Sequence, residues 1–149
     1  MNELKDTMSV KGDLVVIKTD EFGNTDTKQF KNVVVSVGKT YIASRMTANT
    51  ANVMSHMAIG TGNTTALSSD TTLETELSRV ALTVTGGTPS SNTVTYSATY
   101  PAGTGTGALT EAGVFNAGTA GTLLCRTVFP VINKQAADTV TITWVVSIT

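Results

Sequence analysis

The chain has 149 residues, 40% of them apolar and only 14% charged, with a formal net charge of -1. That length carries one domain with a real core and is short for two. The near-neutral charge offers no basic footprint for nucleic acid or an anionic membrane, and the apolar content excludes disorder over most of the chain. Roughly one residue in five is Thr, a composition suited to strands and turns.

Met1 to Val10 alternates charge and polarity without the apolar core that a signal peptide needs, and no span approaches membrane length. The expectation is synthesis in the cytoplasm and no export by that route. The first 39 residues carry 12 of the 21 charged side chains, and the remaining 110 carry nine. This shift suggests a charged N-terminal hairpin or docking segment over 1–39 and a β-sandwich domain over 40–149, folding together as one cooperative domain. Within the first part, Leu14 to Lys18 and the β-branched run Phe30 to Val37 flank the turn Asp20-Glu21-Phe22-Gly23-Asn24. The charged flanks suit either a solvated edge or an arm that pairs with a larger assembly.

From Val37 the period becomes helical. Val37, Tyr41, Ile42 and Met46 share a face, and Ser36 is a candidate cap. Val37-Gly38-Lys39-Thr40 ends like a phosphate-binding loop, but the motif's first glycine would fall on Val33, so Lys39 reads as a surface lysine. Met54 to Gly60 alternates as a strand. It contains His56, the single histidine, which has no carboxylate near it in sequence and reads as structural. Ser69 and Asp70 suit a turn of helix or a loop held against a sheet, while Glu74 and Glu76 lie close to Arg79 on an exposed face.

Arg79 to Val84 and Val94 to Tyr100 read as hairpin partners around the turn cluster 86–92. The glycines of Pro101 to Gly107 lack the strand-to-helix context of a dinucleotide fingerprint and read as backbone bends. Leu109 to Asn116 and Thr122 to Phe129 are two further strands, the second ended by Pro130. Cys125, the one cysteine, excludes an intramolecular disulfide and any multi-cysteine metal site and reads as a small buried hydrophobe.

The last stretch, Asp138 to Thr149, has the cleanest pattern. Val140, Ile142, Trp144, Val146 and Ile148 alternate with Thr and Ser, broken only by Val145, the period of a half-buried central strand. About eight such strands with one short helix make an all-β protein, an antiparallel β-sandwich. No nucleophile, base and orienting group converge, so no catalytic, cofactor-binding or metal-ligating residue is assigned and the protein is read as non-enzymatic. Four residues are assigned structural parts. Arg79 and Arg126, in strands where charge is scarce, are expected to pair with carboxylates or carbonyls. Glu111, the only acid between Glu76 and Asp138, is the candidate partner for one of them. Trp144 is expected in the core.

Several of these stretches carry a resemblance. Met57-Ala58-Ile59-Gly60-Thr61-Gly62 with Leu73-Glu74-Thr75-Glu76-Leu77-Ser78-Arg79, then Tyr100-Pro101-Ala102-Gly103-Thr104-Gly105, Leu109-Thr110-Glu111-Ala112-Gly113-Val114-Phe115, Leu124-Cys125-Arg126-Thr127-Val128-Phe129 and Thr141-Ile142-Thr143-Trp144 follow in order. With Asn32-Val33-Val34-Val35 before Gly38-Lys39, the whole resembles small tail-fibre-like virion structural proteins of tailed bacteriophages. The resemblance implies a virion protein made in the host cytoplasm, without catalytic residues or cofactors, partnered by other virion proteins of tail, fibre or capsid and by copies of itself. With no internal repeat, a cap, adaptor or attachment piece is expected rather than a long receptor fibre. Capsid decoration is the alternative. A carbohydrate-binding sandwich is more remote, because it would need a cluster of exposed aromatics.

Overall fold

The C-terminal alternation becomes the strand on which one of two sheets is built. The computed structural model describes residues 6–48 and 51–149; residues 1–5 of the polar N-terminal stretch lie outside the described residues. Ten strands and one helix follow in order: β1 (Val10–Thr19), β2 (Thr25–Lys31), β3 (Val33–Val34), α1 (Ser36–Ser44), β4 (His56–Gly60), β5 (Glu76–Ala81), β6 (Thr88–Ser90), β7 (Thr93–Tyr100), β8 (Gly107–Phe115), β9 (Leu123–Lys134) and β10 (Thr139–Ile148). They form two five-stranded antiparallel sheets of order β2-β1-β10-β7-β6 and β3-β9-β8-β4-β5. The architecture is the expected sandwich-like one, with ten strands in place of eight.

In the first sheet β10 lies between β1 and β7, with Trp144 opposite both Leu14 and Tyr96. Val140, Ile142, Trp144 and Val146 are buried and Ile148 is half-buried, whereas the intervening Thr and Ser residues and Val145 line the outer face. Each large side chain so buried stabilises by about 1.5–3 kcal/mol. The β1–β2 hairpin closes through the expected turn. The Asp20 carboxylate accepts the N–H groups of Phe22 and Asn24, both at 2.9 Å, and Gly23 takes a φ of 83° that a β-carbon would strain. β1 places Leu14 and Val16 in the common core, so the charge break near residue 39 marks a change in exposure: β2 is almost wholly solvated. Phe30 stacks on Phe129 at 5.0 Å and ties the hairpin to β9.

Several expectations need correction. Phe30 to Val37 is not one strand, because the chain leaves the first sheet at Lys31 and pairs Val33–Val34 with Arg126–Cys125 of the second. β5 is not the hairpin partner of β7. It borders β4 at the edge of the second sheet, and β7 takes as its neighbour the three-residue β6 from the glycine-rich cluster. A single bond from Thr83 N–H to the Ser97 carbonyl marks the crossing between sheets. Pro130 does not end its strand. The β8–β9 register shifts between Leu109 and Glu111, so the exposed Pro130 sits in a bulge where no ladder donor is required. The strand expected from Met54 begins at His56. In α1 the N-cap is Val35, without a side-chain cap bond; Ser36 is the first helical residue, and Met46 lies past the helix and is 86% exposed.

Candidate functional site

Strands β4 and β8 in the second sheet are almost wholly buried, and the outer face of that sheet carries Glu111, Arg126 and Arg79. The ladders place Val33, Arg126, Gly113, Ala58 and Arg79 in one row across β3, β9, β8, β4 and β5. Two arginines thus flank two of the smallest residues. The trough between them holds Leu73, 5% exposed, from the segment that connects β4 to β5. A β-carbon on Gly113 would stand 2.9 Å from the Leu73 side chain, which is why glycine occupies that position. Val35, Ala58, Phe115 and Leu123 complete this second apolar cluster.

Glu111 pins the covering segment. One carboxylate oxygen accepts the N–H groups of Gly62 at 3.0 Å and Thr75 at 2.7 Å. The other accepts Glu74 N–H at 3.0 Å and the Arg126 guanidinium, with Nε at 3.0 Å and Nη2 at 2.9 Å. Arg126 reaches on to Asp70 Oδ2 at 2.7 Å and the Thr64 carbonyl at 3.1 Å. The Glu111 side chain is 0% and that of Arg126 3% exposed. Burial works against the arginine's charge, but Asp70 and Glu111 outweigh it and hold its pKa above the ordinary value. Asp70 also accepts Leu67 N–H, so it holds a loop against the sheet and caps no helix. Glu74 turns outward to accept the N–H and hydroxyl of Thr64, bonds that lower its pKa.

Arg79 is held apart from this network. Its guanidinium pairs with both oxygens of Glu76 at 2.8 and 2.7 Å, donates to the carbonyls of Ala117 and Ala120, and lies 3.8 Å from the Phe115 ring centroid. Glu74 and Glu76 therefore serve different partners. Trp144 is 0% exposed in the main core, with its indole Nε1–H unpaired among the described residues. His56 Nδ1 contacts the Ser55 hydroxyl at 2.8 Å, Lys39 is exposed, and Cys125 is buried, which pushes its thiol pKa up.

Two buried charged residues, Lys134 and Asp138, escape sequence reasoning. Lys134, 1% exposed, donates to the carbonyls of Pro101 and Asp138 at 3.1 and 2.6 Å. Its shared parity with the buried Ile132 is the signal that points inward. Among the described residues no group of three or more His, Cys, Asp or Glu is placed to hold a metal ion, and no helix is long and apolar enough to cross a membrane. The arrangement is saturated: its charged groups are committed to each other and to backbone, which suits holding a shape.

Residues 27–148 match the family described as phage tail-collar fibre protein, N-terminal. No curated protein and no solved structure matches the chain.

Proposed function

The chain belongs to the phage tail-collar fibre family, and on that footing we propose that it is a non-enzymatic adaptor or attachment module. Membership implies a structural role in the phage virion. The finer reading is a tail- or fibre-associated piece, made in the host cytoplasm, that packs against other virion proteins and against copies of itself.

The outer face of the first sheet carries this reading. Across β2, β1, β10 and β7 run the rows Thr27, Ile17, Thr141, Thr99 and Gln29, Val15, Thr143, Ser97, without a charge between them, and the next row, Lys31, Asp13, Val145, Thr95, carries one charge of each sign. Hydroxyls pair along it, Thr99 with Thr141 at 3.0 Å and Ser97 with Thr143 at 3.4 Å. No described element covers this face. A surface of short hydroxyls and half-buried Val15 and Ile17 carries little charge to desolvate on contact, as the centre of a protein interface requires. Phe22 is the only aromatic in the exposed class among the described residues, so no stacking platform for sugars is assembled there.

Electron cryomicroscopy of intact particles, with an epitope inserted at the exposed Gly103 turn, tests the proposal. Density or label on the tail is the expected result. Label on the head would replace it with capsid decoration, and absence from purified particles would overturn both.

A further inference from the structure

Two exposed apolar features lie at opposite ends of the first sheet. At one end the β1–β2 turn presents Phe22, 82% exposed. The tip is rigid, because Asp20 accepts three hydrogen bonds from Phe22 and Asn24 across the turn. A large aromatic held in a fixed position in water is the kind of anchor that dominates small interfaces. At the other end a pocket of about 330 Å³ opens between α1 and the β6–β7 hairpin, lined mainly by Tyr41, Ile42, Val94, Tyr96, Val146 and Ile148.

The two features also differ in charge. The tip carries Asp20, Glu21 and Asp26; Asp20 is committed to the turn and Asp26 approaches Lys28 at 3.8 Å, which leaves Glu21 exposed beside Phe22. Among the described residues Arg45 is the one charged residue lining the pocket, exposed at the end of α1 beside the Tyr41 ring, with Nη1 donating to the Ala51 carbonyl at 2.8 Å. Within one copy the knob cannot reach the pocket. Phe22 follows the Thr19 end of β1, Ile148 pairs with Val10 at its other end, and ten residues of strand separate them by roughly 30 Å.

We propose that copies of this chain associate head to tail, Phe22 of one copy entering the apolar pocket of the next with Glu21 facing Arg45. A contact between two different patches is heterologous and builds a ring or an open string rather than a two-fold dimer. The inference deepens the reading of the chain as a packing module and names the surfaces used when it packs on itself.

Sedimentation velocity of the purified full chain, from about 10 to about 500 µM, is the test. The expected result is a series of species that grows with concentration and shrinks as salt screens the charge pair. Phe22→Ala should weaken association by about tenfold or more, and Arg45→Glu should weaken it as well. Combining Glu21→Lys with Arg45→Glu should restore it. Glu21, Phe22 and Arg45 are all exposed, and Arg45 gives up one bond to the Ala51 carbonyl, so circular dichroism should show the variants folded. A wild-type chain that stays monomeric throughout overturns the proposal, as it would if the pocket serves a different protein. An oligomer indifferent to Phe22→Ala, or a charge swap that fails to restore association, overturns it too. Particles that carry the chain on the tail while the purified protein stays monomeric would sink this inference alone.

Discussion

At the scale of single residues the buried charges decide the energetics. Removing one partner of a buried ion pair strands the other and costs about 3–5 kcal/mol. Arg126→Met leaves Glu111 with three backbone donors still aimed at it, whereas Glu111→Leu orphans those donors and the guanidinium together. Urea unfolding should therefore rank Glu111→Leu above Arg126→Met in destabilisation, and near-zero effects for both would show that the network is ornamental. Glu74 gives a pH signature. Its folded pKa is depressed by the Thr64 N–H and hydroxyl, so its contribution is present above the unfolded glutamate value of about 4.3 and fades as pH falls through the lower folded value. Glu74→Gln should flatten the part of the melting temperature profile below about pH 4.3 that belongs to this residue. An unchanged profile would refute the assignment. Trp144 belongs here too: wholly enclosed between Leu14 and Tyr96, it should cost about 3–5 kcal/mol on truncation to Ala, read by thermal melting.

At the scale of elements, sequence and structure part company in an instructive way. Alternation showed which side chains of a strand turn inward, because period two is a local property; β10, β1 and the β8–β9 pair were legible for that reason, whereas β2, solvated on both faces, was not. It could not show which sheet a strand joins. β5 has the local pattern of a hairpin partner for β7, yet it pairs with β4, and that choice is made by contacts distant in sequence. The placing of Arg79 and Arg126 in one row was hidden for the same cause, since the row exists only once four ladders have set their registers. Glu111 was legible as a lone acid in an apolar run. Its grip on the segment 61–75 was not, because backbone donors leave no mark in a sequence. Leu73 is the apolar peg of that segment, and Leu73→Ala should cost about 2–5 kcal/mol. Hydrogen exchange should then quicken first at Gly62, Glu74 and Thr75, the amides bound to Glu111; uniform acceleration across both sheets would mean that the segment has no separate stability.

At the scale of the whole molecule, the strands nearest the two ends of the sequence are central neighbours. β1 and β10 pair from Val10 with Ile148 to Thr19 with Thr139, so the first sheet closes only when residues more than a hundred positions apart have met. The charged composition of the first 39 residues invites the idea of a detachable arm, and the register of β1 argues for a different outcome. Deleting residues 1–31 removes β1 and β2, strips one edge of β10 of its ladder and takes the buried Leu14 and Val16 out of the core. Those two side chains alone contribute about 3–6 kcal/mol, against about 5–15 kcal/mol for the stability of an entire domain. The lost ladder adds to that, and the exposed β10 edge would offer itself for aggregation. The truncated chain is expected to show no cooperative melt, and its Trp144 emission should shift toward that of a solvated indole. A truncated protein that melts cooperatively with a buried Trp144 would establish instead that the hairpin is an appendage and that 32–149 is the folding unit.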